Sequence, residues 1–235
     1  MIRHQFLLFA IIPALFFNGI ASIFYFVLFA EIGFANMLYG SSKLLLLLWP
    51  MLWLLFLRQK NREEFFPSFF SLGNAKKAIL YGVVSGVSIF SAGIAIFFFF
   101  ENFFQSFTSE ITAKTMQMGL ISPLFYLLFS GIICILHSLF EEFYWRYFVF
   151  HGLRLRFGIF SSALLSSIGF SLHHFVILSQ YFPLPLTVAL GTAVGVGGFF
   201  WCILTAHTKT FLGNWISHIF VDVGIFGIGY ILMFE

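Results

Sequence analysis

The stretch Leu139-Phe140-Glu141-Glu142-Phe143-Tyr144-Trp145-Arg146-Tyr147 sets two adjacent carboxylates and an arginine inside an apolar run that otherwise reads as a membrane-spanning helix. Charged side chains well inside hydrocarbon cost roughly 2.5–3.5 kcal/mol each on insertion scales, so they survive mainly where they face a polar cavity and perform a task. The stretch is therefore read as a functional site in a membrane helix. Glu142 and Arg146 are four residues apart, on one helix face and in the favoured acid-before-base order, and are expected to pair. Glu141 lies about 100° further round the helix, so it is expected to face a different neighbour and to have no salt-bridge partner.

Composition supports a membrane setting. Of 235 residues, 60% are hydrophobic and only 9% charged, with a mean hydropathy of +1.00, whereas about a quarter of the residues of soluble domains are charged. The expectation is an all-α, polytopic integral membrane protein. The 38 phenylalanines suit lipid-facing surfaces and equally a compositional bias, and they are assigned no function. Cys134 and Cys202 fall in spans without metal or redox spacing and read as packing residues. The net charge of +3 leaves no nucleic-acid footprint.

Outward from the motif, seven spans are expected. They run over Phe6–Ala30, from about Met37 to Arg58 with Lys43 snorkelling, over Ala78–Phe100, Ile121–Phe150, Gly158–Tyr181, Leu186–Ala206 and Leu212–Phe234. The 25-residue run Phe6–Ala30 is too long for the core of a cleaved signal peptide and is expected to be retained. Arg58–Lys77 and Glu101–Gln117 read as polar connections, and Pro183 with Pro185 ends the fifth span. Gly82 and Gly86, and separately Gly191, Gly195, Gly197 and Gly198, give small faces for close helix packing. The whole of 1–235 reads as one membrane domain, with N-terminal spans over 1–120 and motif-bearing helices over 121–235. Arg3, the five basic residues of Arg58–Lys77, Arg154, Arg156 and Lys209 fall on one side, which puts the N-terminus in the cytoplasm. With no transit or retrieval signal, a prokaryotic cytoplasmic (inner) membrane is expected.

Further polar residues sit inside the spans. His173 and His174 are adjacent, while Asn214, His218 and Asp222, the only aspartate, recur every four residues on one face. At 1.5 Å per residue, Glu141 is expected roughly 14 Å from the cytoplasmic end of its span, His218 about 9 Å, Asp222 about 15 Å and His174 about 24 Å. Tilt brings them to one cavity open to the cytoplasm. His137 reads as a hydrogen-bonded core residue, and His4, His151 and His207 as interfacial.

At these residues the chain resembles the CPBP family, the CAAX-protease and bacteriocin-processing membrane proteins also called Abi. Its signature of EExxxR, FxxxH and HxxxN or HxxxD, each on a separate transmembrane helix, reads here as Glu141-Glu142-Phe143-Tyr144-Trp145-Arg146, Phe170-Ser171-Leu172-His173-His174 and His218-Ile219-Phe220-Val221-Asp222. The resemblance covers about Ile121 to Phe234. It implies an intramembrane endopeptidase acting without a covalent intermediate on a peptide or membrane-protein segment, lipid-modified or not, with no required cofactor. In that pattern Glu141 and His174 hold and activate a water, and His218 with Asp222 stabilises the oxyanion or supports it. Glu142, Arg146, His173, Asn214 and Phe170 are supporting residues.

Two departures mark this chain. Asp222 stands where the prenyl-protein endopeptidase branch has asparagine, and an ionised aspartate repels an oxyanion; it must be protonated, orient His218 or bind a metal. The doubled histidine leaves a choice: the spacing from Phe170 selects His174, and a shift of one residue selects His173. A zinc-dependent version would draw on Glu141, His174, His218 and Asp222, without the HExxH helix of zinc proteases. A non-catalytic immunity or binding protein is the alternative from another class, and a transporter a third.

Overall fold

The computed structural model describes residues 5–28, 35–56 and 74–235, and the described residues form helices with no strand. In chain order they are α1 (Leu7–Leu28), α2 (Ala35–Phe56), α3 (Ala75–Phe99), α4 (Glu101–Gln105), α5 (Thr108–Gln117), α6 (Pro123–Arg154), α7 (Ile159–Leu178), α8 (Leu184–Thr208) and α9 (Leu212–Phe234). Six of them, α1, α3, α6, α7, α8 and α9, are long and apolar enough to cross a membrane. The expected second span coincides with α2, a helix of 22 residues that contains Lys43 and Pro50. Most of the expected Arg58–Lys77 connection lies outside the described residues, and Lys76 and Lys77 fall in the first turn of α3. The expected connection Glu101–Gln117 instead carries α4 and α5.

Local signals set the helix ends. Pro123 opens α6 where a missing N–H is harmless, and the Ser122 hydroxyl accepts from the Phe125 N–H. Pro183 is the N-cap of α8, and Lys209 closes that helix in the left-handed region at φ 60°.

Large apolar side chains cover the outside of the described helices while the charged side chains of the motif lie inside, an inversion of where a soluble protein places its charge. Phe99 is 82% exposed, with Leu55, Phe56, Phe160 and Phe200 also outward, while Glu141, Glu142 and Arg146 are buried. With water absent from hydrocarbon, that inversion is what an integral membrane protein requires.

The helices form two compact units. The first takes the chain up to Ala75 together with Phe140–Phe211. In it α7 runs along both α1 and α8, and Phe150, Ala163, Cys202 and Ala206 form a buried cluster. Small residues permit the α7–α8 approach: a Cβ on Gly191 would fall 2.5 Å from the Phe175 ring, and one on Gly198 2.9 Å from that of Phe170. The second unit takes Lys76–Leu139 and Leu212–Glu235. There Gly86 lies against Phe220 and Ser217, Gly82 lies against the Gly213 carbonyl, and the Ser85 hydroxyl donates to Ser217 at 3.1 Å. The close approach expected of Gly82 and Gly86 is thus made to α9.

Candidate active site

The motif helix α6 is not wound uniformly. Its residues Ser138–Glu142 keep α-helical turns, flanked by wide π-type turns over Ile133–His137 and Phe143–Phe150. Such turns are rare and collect at functional positions, because they re-aim side chains and loosen carbonyls from the helix ladder. The loosened carbonyls find side chains. His151 Nδ1–H donates to the Arg146 carbonyl at 2.8 Å, and the Ser166 hydroxyl donates to that of Trp145 at 3.2 Å. His151, expected at the interface, is therefore buried, since the wide turn gives it a backbone partner.

Glu142 and Arg146 pair at 3.1 Å as their spacing predicts, both fully buried. The guanidinium lies 4.3 Å from the centre of the Phe170 ring and 4.9 Å from that of Trp201. Gly198 makes the room, for a Cβ there would stand 3.3 Å from Arg146 Nη2. Arg146 thus pairs with a carboxylate of its own helix and ties α6 to α7 and α8 through two π faces. Trp201 carries no motif, and only its place in a glycine-rich helix marked it.

Glu141 is not without a partner, contrary to the expectation from its helix angle: its Oε1 lies 3.1 Å from His173 Nε2, with both side chains buried. The reason is the longer α6. It continues to Arg154, so Glu141 lies thirteen residues before the turn and His173 fourteen residues after α7 begins at Ile159. The two side chains reach one level without tilt. The Trp145 ring lies parallel to the His173 imidazole, at 6.4 Å between centres, and Phe170 meets it edge-on at 5.8 Å.

His174, selected by the spacing from Phe170, has a different task. Its Nδ1–H donates to the Phe170 carbonyl at 3.0 Å, which leaves the Nε2 lone pair as a base or ligand. The two imidazole centres are 4.0 Å apart. Glu141, His173 and His174 each offer one ligand atom, all within 4.8 Å of one another.

The second unit holds the third motif. His218 Nε2 and Asp222 Oδ1 are 3.6 Å apart, an ion-pair contact longer than a hydrogen bond, and Asn214 and Ser217 are fully buried on the same helix.

The model of the type II CAAX prenyl endopeptidase Rce1-like family matches residues 121–224, a stretch that contains all three motifs. Under half of the chain is matched, and that stretch is similar to the CPBP group of membrane proteases. Comparison with curated proteins and with solved structures finds no match.

Proposed function

We propose that the chain is an intramembrane endopeptidase of the CPBP type, in which Glu141 and His174 hold and activate a water for attack on a peptide carbonyl. The observation that carries this reading is the buried carboxylate of Glu141 within 4.8 Å of two imidazoles, inside the stretch that matches the family. A carboxylate beside two imidazoles is placed to take a proton from a water held between them. Glu141 takes a proton as the water oxygen bonds to the carbonyl carbon, and that proton passes to the amide nitrogen as the C–N bond breaks. His173 fixes the carboxylate, and the His174 Nε2 lone pair accepts from the water. The motif pattern adds His218 to the reaction; the 3.6 Å contact favours Asp222 as the group that orients it. The substrate class is a peptide or membrane-protein tail, with prenylated CAAX tails the first to test, and the setting a prokaryotic cytoplasmic membrane.

The test is cleavage of quenched peptides, prenylated and plain, by detergent-purified protein beside Glu141→Gln and His174→Ala. Wild-type cleavage that both variants lose while remaining folded is the expected result. A Glu141→Gln variant that cleaves like the wild type overturns the role given to Glu141, and a wild type that cleaves none of the peptides overturns the reading in favour of a binding or immunity role.

A second reading uses the same three residues. Glu141, His173 and His174 match the donor types and number of a catalytic zinc site, which takes three protein ligands and keeps a fourth position for water. Metal analysis with chelation separates the two: cleavage that survives removal of all divalent metal discards zinc, and cleavage restored only by zinc discards the metal-free mechanism.

A further inference from the structure

The mechanism above needs hydrogen-bond donors at the carbonyl oxygen that turns negative; the motif pattern offers His218, and Asp222, where the prenyl-protein branch has asparagine, has no amide N–H to add to it. A neutral donor of the right kind lies on α1, a helix without any motif.

Asn18 is 4% exposed, and its side-chain Nδ2 makes no hydrogen bond. It stands in the buried stripe Ala10, Ala14, Asn18 and Ser22, the face that α1 turns inward. An amide buried without a partner in an apolar helix loses stability for no structural return, so it calls for an acceptor that the folded chain does not itself supply.

Contacts within the first unit fix where Asn18 sits. Gly152 of α6 lies against Ile11 and 3.4 Å from Phe6, and one stretch earlier in α6 the Tyr144 hydroxyl donates to the Ala14 carbonyl at 2.8 Å. The two helices therefore run antiparallel, and the next turn pairs Asn18 with the level of Glu141, three residues before Tyr144. Helix α7 runs parallel to α1. A Cβ on Gly169 would stand 2.9 Å from the Leu15 carbonyl, and one on Gly19 3.2 Å from Leu172 Cβ. Asn18 adjoins Gly19 and His173 adjoins Leu172, so the same level is reached from the α7 side. Both registers bring Asn18 within one helical turn of the Glu141–His173 contact.

We infer that Asn18 is a further catalytic residue of this site, its amide N–H donating to the scissile carbonyl oxygen of a bound peptide and holding the charge that develops there. The inference rests on the endopeptidase reading. A neutral amide suits this position, because it strengthens its hydrogen bond as the oxygen becomes negative without placing another charge in the membrane. The acceptor class is a peptide carbonyl.

The experiment compares Asn18→Leu and Asn18→Asp with wild type and Glu141→Gln on the quenched peptide the wild type cleaves fastest. Leucine keeps the volume and removes the donor; aspartate keeps the shape and, ionised, repels the oxyanion. Both are expected to lower kcat about 10²–10³-fold, the loss typical of one oxyanion donor, with KM within about threefold. Thermal melting of Asn18→Leu is expected at or above the wild-type value, since an orphaned amide has gone. Asn18→His, which restores an N–H, is expected to recover part of kcat. An active wild type, an inactive Glu141→Gln and a kcat for Asn18→Leu within twofold of wild type overturn the inference alone; if Asn18→Leu does not fold, an unaltered kcat in Asn18→Asp does so. A Glu141→Gln variant that cleaves like wild type removes Glu141 from the reaction, and this assignment, placed by its contact with His173, with it.

Discussion

Arg146 shows how one residue can bind three helices together and still contribute little net stability. A buried ion pair gains less from Coulomb attraction than it loses in desolvation unless its geometry is excellent, and breaking one partner away costs more than removing both. Arg146 Nε and Nη2 make no hydrogen bond, and the Phe170 and Trp201 rings lie against the guanidinium instead. Arg146→Met in the presence of Glu142 is expected to destabilise the protein by about 3–5 kcal/mol, because a buried carboxylate loses its counter-ion. Replacing both, Arg146→Met with Glu142→Leu, is expected to recover most of that loss. Thermal unfolding in detergent of the single and double variants checks it, and a double variant as unstable as the single one contradicts the argument. At this scale the sequence was readable as chemistry but not as partners. The four-residue spacing announced Glu142–Arg146. Which histidine meets Glu141 turns on about 100° of helix rotation, which no spacing rule could settle next to π-type turns.

Helices are where the sequence was most readable, for a physical reason: a run that must match the bilayer thickness is dictated by length and apolarity alone. The last span was expected over Leu212–Phe234 and is observed there. Boundaries failed where helices continue past the apolar run, as α6 does to Arg154, and that extension brings Glu141 level with His173. The polar connection Glu101–Gln117 folds into α4 and α5 for a related reason, since nothing in it forbids helix and apolarity says nothing about its form. The π-type turns had no sequence signal, as they depend on carbonyls captured by Ser166 and His151 from their neighbours. His151→Phe removes one such donor while keeping an aromatic ring of comparable bulk. It is expected to cut cleavage at least tenfold with KM little changed, by letting the turn at Arg146 tighten. Gly198→Leu acts on the same element from α8, where a Cβ already meets Phe170 and Arg146. It is expected to destabilise by about 1–3 kcal/mol, the usual result of overpacking, whereas Gly197→Leu, with nothing within 4 Å, is expected to be near neutral. Melting of the two glycine variants side by side separates packing from helix propensity.

For the whole molecule, the open quantity is the parity of membrane crossings. Five helices from α3 onward, leaving out α4 and α5, together with α1 make six that are long and apolar enough to span; whether α2 crosses as a seventh decides whether the two ends of the chain face the same side. The charge of Lys43 inside α2 argues against a crossing. The other basic residues argue for it. Arg3, Arg58, Lys60, Arg62, Lys76, Lys77, Arg154, Arg156 and Lys209 share a side only if an odd number of spans separates the two ends, and a lysine stem long enough to snorkel removes the objection at residue 43. Without that crossing Arg3 alone stands on the face opposite the other eight, and the bias that orients membrane proteins during insertion favours keeping it with them. Single cysteines in a Cys134→Ser, Cys202→Ala background, probed in intact cells with a membrane-impermeant maleimide, test this. Residue 114 and residue 235 are expected to label from outside, and residues 156 and 209 only after the membrane is opened. Labelling of residue 3 from outside, together with residue 235, would mean six crossings, place α2 along the membrane surface and put the basic residues of 58–77 on the face opposite the N-terminus.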